Sequence, residues 1–150
     1  MTNQNVIQIE RGFPVAPAVL WSLWTEARHL SAWFGPHISL EPRAGGAFRE
    51  VWTNEGHQTI TSGTIVTFDP PKTLAWTWAD EDWTWTTLLT LSILAERNGV
   101  RLTLIHSGWH DLAENASGSL RDAHAAGWTM HLTNLPSSEK LTEKTLSQTM

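Results

Sequence analysis

TLAWTWADEDWTWTTLLTLSILAERNGVRLTLIHSGW, residues 73–109, carries the period-two pattern that points to the architecture. Leu74, Trp76 and Trp78 occupy alternate positions, and side chains two apart on a strand share one face of the sheet. Trp83, Trp85, Leu89, Leu91 and Ile93 follow a second such parity, with Thr87 among them, and Val100, Leu102, Leu104 and His106 a third. Asn98-Gly99 separates the last two runs, and both residues tolerate the positive φ of a tight hairpin. Asp80-Glu81-Asp82 reads as a solvated tip between two aromatic strands.

The same period continues upstream. Arg43-Ala44-Gly45-Gly46, Asn54-Glu55-Gly56 and Asp69-Pro70-Pro71 divide the segment from Ile38 onward, giving about six consecutive antiparallel strands up to Trp109. Ile7, Ile9 and Phe13 alternate with polar residues and mark an earlier strand, stopped by Pro14 and Pro17. Pro17 also suits the first turn of a helix. Leu20, Leu23, Trp24, Ala27, Leu30 and Trp33 then follow helical spacing, as one helix or as two broken near Glu26 to Arg28. Beyond Trp109 the chain turns polar and Gly-rich as far as Gly118. A last helix is expected from about Ser119 to Leu135, with His124, Gly127, Trp128, His131 and Leu132 on one face and Pro136 closing it. No repeat or low-complexity linker interrupts this order, so one domain over 1–136 with a short tail over 137–150 is expected.

Composition narrows the function. The chain has 150 residues, ten of them Trp, with no Tyr and no Cys, and a formal charge of −5. Absent thiols remove disulfides, thiol nucleophiles and thiolate metal sites. Ten scattered Lys and Arg make no basic stripe, so nucleic acid and anionic membrane surfaces are not expected partners. Met1 to Arg11 shows no cationic start followed by an apolar run, and no segment reaches membrane-spanning length; a cytoplasmic domain is expected.

A series of local strings resembles the activator of heat-shock protein 90 ATPase homologue-like family, within the START-like, SRPBCC helix-grip superfamily. They are Arg11-Gly12-Phe13-Pro14-Val15-Ala16-Pro17, Leu20-Trp21, Trp33-Phe34-Gly35-Pro36, Gly45-Gly46-Ala47-Phe48, Gly63, Gly99-Val100-Arg101-Leu102-Thr103-Leu104, His106-Ser107-Gly108-Trp109 and Gly127-Trp128. The resemblance implies an α+β helix-grip fold: a curved antiparallel sheet of about seven strands around a long C-terminal helix, with one or two short helices after the first strand. It also implies a space between sheet and helix. It does not imply one function, because this scaffold carries binding proteins, cyclases, hydrolases and co-chaperones.

Strand parity then selects candidate residues. Phe48, Glu50 and Trp52 share a face; an inward Glu50 would have its pKa raised unless a cation or donors met it. Glu50 and His106 are the candidate acid–base pair if the cavity is catalytic, against the alternatives that Glu50 turns to solvent and His106 is a satisfied core histidine. Trp76, Trp78, Trp85 and Trp128 are candidate cavity walls, with Gly127 letting the helix approach the sheet, and Thr87, His106 and His124 candidate polar groups. Trp21, Trp24 and Trp33 read as helix packing, and Trp109 as a cap on the last strand.

No metal is expected: His124 and His131 lie about 10 Å apart along a helix, too far to share one ion at roughly 2 Å. His106 and His110 straddle a strand end, where helical spacing has no meaning. Nucleophilic catalysis lacks a Gly-x-Ser-x-Gly elbow, and Gly45-Gly46 lacks the lysine and helix of a phosphate loop. The reading is a cofactor-free domain, monomeric or weakly dimeric, that binds a small hydrophobic or aromatic molecule. An enzyme of cyclase or hydrolase type using Glu50 and His106 comes second. A chaperone-binding module with a part in the stress response, as the family name implies, comes last.

Overall fold

The computed structural model describes residues 6–35, 37–83, 85–109, 114–133 and 135. The tail expected over 137–150, with Pro36, His110 and Pro136, lies outside them. The elements run β1 (Val6–Phe13), α1 (Pro17–Thr25), α2 (Ala27–Trp33), β2 (Ile38–Leu40), β3 (Ala47–Asn54), β4 (His57–Asp69), β5 (Thr73–Asp80), β6 (Thr87–Glu96), β7 (Gly99–Ser107) and α3 (Glu114–Thr133). The seven strands form one antiparallel sheet in the order β1-β7-β6-β5-β4-β3-β2. Six consecutive strands are thus a meander, and β1 closes it by pairing with β7. This is the α+β helix-grip architecture that the sequence implies: a curved sheet around a C-terminal helix.

The period-two pattern fixes which face is buried. Trp76 pairs across to Leu89, and Leu89 to His106; Leu74, Leu91 and Leu104 form the next row. All six are buried. Thr87 completes the Trp78 row at the near end of β6. The core rings from the two sides meet here: Trp24 of α1 lies 6.4 Å from both Trp76 of the sheet and Trp128 of α3.

The first helical stretch is two helices. Thr25 Oγ1 donates back to the Trp21 carbonyl, and Glu26 is extended at φ −93°, ψ 129°, which ends α1. The break leaves terminal carbonyls without intrahelical donors. The indole N–H of Trp33 takes one of them, donating to Leu23 O at 2.7 Å and tying α2 against α1.

Two segments depart from the sequence reading. Helix α3 starts at Glu114, about one turn before the expected Ser119. Gly and Ser lower helix propensity by only about 1 kcal/mol or less each, a weak bias that tertiary context overrides. Trp83 and Trp85 are not in a strand, because β5 ends at Asp80 and β6 begins at Thr87. Instead their rings stack on each other in the connection, 4.5 Å apart and 9° from parallel. Glu81 and Asp82 are exposed, as a solvated tip requires, and Glu81 both donates its N–H to Ile60 O and accepts the Ile60 N–H on its carboxylate, tying the connection to β4.

At Gly63 the β4 backbone has no room for a side chain against β5. A Cβ there would sit 1.6 Å from the Thr77 carbonyl oxygen, and the register of β4 on β5 shifts just beyond, between Ile65 and Thr67. Gly63→Ala is expected to lower the unfolding free energy by about 3 kcal/mol, since backbone and not a flexible side chain must give way. At this chain length that is a fall in Tm of roughly 6–12 °C. A variant that melts within a degree or two of the parent would show that the strands can separate freely at this point.

Candidate functional site

The far half of the sheet, β3 to β5, stands away from α3 and leaves a partly open cleft of about 390 Å³. Phe34 at the end of α2, Trp52 on β3, Trp78 on β5 and Trp128 on α3 give it apolar walls. Glu50, Thr61 and Asp80 enter from β3, β4 and β5, and Ala123, His124, Gly127 and His131 from α3.

Glu50 points into this space and is nearly buried, at 9 % exposure. His37 Nε2 lies 2.9 Å from its Oε2, so the imidazole N–H donates to the carboxylate. Two features place His37 there. Its carbonyl accepts the Val51 N–H beside Glu50. Gly35, at φ +141°, carries no Cβ, and a Cβ would fall 2.3 Å from the imidazole ring. Burial raises the pKa of Glu50 and outweighs the lowering by His37; the Asp80 charge adds to the rise.

Asp80 continues the Trp76–Trp78 parity to the end of β5. Trp52 Nε1–H donates to Thr61 Oγ1 at 3.0 Å, and the Thr61 hydroxyl passes its own proton to Asp80. Burial raises the pKa of Asp80 as well, against the Thr61 hydrogen bond and the charge of His124. On the opposite wall the His131 ring packs 4.5 Å from Phe34, and burial, then the His37 charge, lowers its pKa.

His106 lies behind the wall and does not border the cleft. Trp128 Nε1–H donates to its Nδ1 at 3.0 Å. Its Nε2 is 2.7 Å from Thr87 Oγ1, whose hydroxyl proton goes to the Trp78 carbonyl, also at 2.7 Å. The chain of donors allows one arrangement: imidazole neutral, proton on Nε2, lone pair of Nδ1 already used. Burial sets the pKa of His106 well below the ordinary value, with His124 adding to the shift. Such a ring has neither a free lone pair nor a proton to exchange.

Of the ten candidate residues, Glu50, Trp52, Trp78, His124 and Trp128 border the cleft. Phe48, Trp76, Trp85, Thr87 and His106 do not. Phe48 stacks on Trp76 and Trp78 at 5.1 and 5.2 Å and supports the wall from behind. Glu50 and His106 are not a pair: each has a different partner, on opposite sides of the Trp78 ring's strand. Trp109 is buried just past β7, its N–H donating to His106 O.

Sequence reasoning missed Phe34, His37, Thr61 and Asp80. Extending the β5 parity by one step would have found Asp80, and the strand opposite it would have offered Thr61. Phe34 and His37 carry no such signal, because irregular backbone between α2 and β2 delivers them. Gly127 has a different role from the expected one. A Cβ there would meet nothing within 4 Å, so it opens the cleft and does not allow a close helix–sheet approach. Among the described residues no group of three or more His, Asp or Glu is arranged to hold a metal ion. Nor is any described helix long and apolar enough to cross a membrane.

The comparisons with known proteins fit this geometry. A protein of Mesorhizobium loti shares 21% identity, with 93% of this chain and 98% of that chain covered and a TM-score of 0.74. CalU16 from Micromonospora echinospora shares 23%, over 93% and 82% of the two chains, at a TM-score of 0.67. The Aha1 dimer from Colwellia psychrerythraea shares 19%, over 87% and 92%, at 0.70. At these identities the likeness is one of fold. The search of curated proteins gave no match. The family described as Activator of Hsp90 ATPase homolog 1-like protein matches residues 14–138, and the chain belongs to that family.

Proposed function

We propose that this chain, a single domain over 1–136, binds a small hydrophobic or aromatic molecule in the cleft between β3–β5 and α3. The observation that carries the reading is the cleft itself: about 390 Å³, walled by three indoles and Phe34, with bare Gly127 facing open space. Small-ligand sites are typically concave and apolar, with a few polar groups for orientation. Trp52, Trp78 and Trp128 would supply apolar contact, Glu50 and His124 polar contact, and Phe48, Trp76, Trp85, Thr87 and His106 the support behind. The cyclase- or hydrolase-type alternative draws no support from the site, since Glu50 is paired with His37 and both ring nitrogens of His106 are engaged. Chaperone binding rests on the family's name alone. A cytoplasmic monomer or weak homodimer is the matching expectation; the Colwellia relative is described as a dimer.

The test is a panel of hydrophobic and aromatic compounds, read by Trp fluorescence and thermal shift on the parent and on Gly127→Leu. A ligand at a hundred times its Kd stabilises by about 2.7 kcal/mol, or roughly 5–10 °C in Tm. The leucine side chain should fill the cleft, raise or preserve the Tm and abolish the shift. If no compound moves the parent, or if every active compound moves the leucine variant equally, the cleft is not a receptor.

A further inference from the structure

The charge of the cleft does not suit a purely apolar ligand. Glu50 and Asp80 both border it, while among the described residues no Lys or Arg does. Two carboxylates in an apolar recess cost free energy that packing alone would never favour. Their protein partners are few: His37 for one oxygen of Glu50, and the Thr61 hydroxyl for Asp80. Around them stand the rings of Trp52, Trp78, Trp128 and Phe34, and indole faces are the best aromatic surfaces for an organic cation. We propose that the occupant is a small organic cation, a quaternary ammonium or protonated amine carrying an apolar group, held between these rings with its charge toward Glu50 and Asp80. This deepens the binding reading above and depends on it.

Burial holds both carboxyl groups above their ordinary range despite His37 beside Glu50 and the charge of His124 near Asp80, so a further cation there would stabilise them. A bound cation would restore their ionised forms. Acidification should therefore weaken binding. Glu50 on β3 and Asp80 on β5 take up protons and lose the charge that holds the cation; Glu81 and Asp82 beside Asp80, His37 ahead of β2, and His124 and His131 on α3 are the other titratable groups near them. Affinity for the cation should fall as the pH drops toward the raised range in which these two carboxylates titrate.

Phenyltrimethylammonium and its uncharged isostere tert-butylbenzene separate charge from shape, and benzoate supplies the opposite charge. Titrated into the full chain at pH 7.5, the cation should bind at least tenfold more tightly than tert-butylbenzene, and benzoate should not bind. Glu50→Gln and Asp80→Asn should each weaken the cation about tenfold, which is about 1.4 kcal/mol, and leave tert-butylbenzene within twofold. Two variants are used so that misfolding of one still leaves the other as a reading. If tert-butylbenzene binds as tightly as the cation, or if neither folded variant discriminates, the charge assignment is wrong and the receptor reading stands. If none of the three probes binds the parent, both readings fall.

Discussion

Truncating Trp128 to alanine is expected to remove about 4 kcal/mol of stability, the middle of the range for deleting a buried aromatic side chain. Helix α3 is the reason the loss should be that large. It is a polar helix, and in its described part only Trp128 and Leu132 are buried. The Trp128 ring spans the junction, 5.3 Å from Trp78, 5.8 Å from Phe34 and 6.4 Å from Trp24. Its N–H also supplies Nδ1 of His106, so truncation orphans a fully buried acceptor. At this length the Tm should drop by roughly 8–16 °C. Trp128→Phe should recover most of the packing and none of the hydrogen bond, giving an intermediate loss. Urea unfolding measures both. A cost under about 1 kcal/mol for the alanine variant would mean that α3 does not depend on this ring.

Acid should destabilise the protein through His106. In the unfolded chain this imidazole titrates near its ordinary value of about 6.5, whereas in the fold burial keeps it neutral far below that. The unfolded state therefore binds more protons once the pH falls below about 6.5, and stability declines with falling pH. The limiting slope from one such group is about 1.4 kcal/mol per pH unit. His131, lowered by burial, adds to the decline, while Glu50 and Asp80, raised by burial, work against it as the pH nears the carboxylate range. Comparison with His106→Gln isolates the one residue. That variant carries no titratable group at the site, so its stability should fall less steeply from pH 7 to pH 5. Parallel curves for the two proteins would show that His106 is not held neutral.

Much of the sheet was legible because a strand's faces are written locally. The parity of Leu74, Trp76 and Trp78, and of Val100, Leu102, Leu104 and His106, needs only the two-residue repeat. Asn98-Gly99 marked the β6–β7 connection to within a residue: the turn is Arg97-Asn98, and Gly99 opens β7 opposite Glu96. The pattern misled at Trp83 and Trp85, where alternating tryptophans gave a strand signal but the rings gain more by stacking on each other in a connection. Parity also said that Glu50 faces inward and could not say what it meets there. His37 reaches it from irregular chain thirteen residues earlier, past a glycine whose missing Cβ makes the room.

By itself the sequence determined the order of elements, the buried face of each strand and the helix that the sheet holds, since these follow from hydrophobic period and turn chemistry along the chain. Tertiary structure alone decided that the rings of β5 and α3 leave a hollow beside Gly127, that Glu50 and Asp80 share it, and that His106 is sealed behind it. Those outcomes depend on how far α3 stands from the far strands, and that distance is set by Trp24, Phe34 and Trp128 meeting from three different elements. No local repeat encodes a contact between parts of the chain a hundred residues apart.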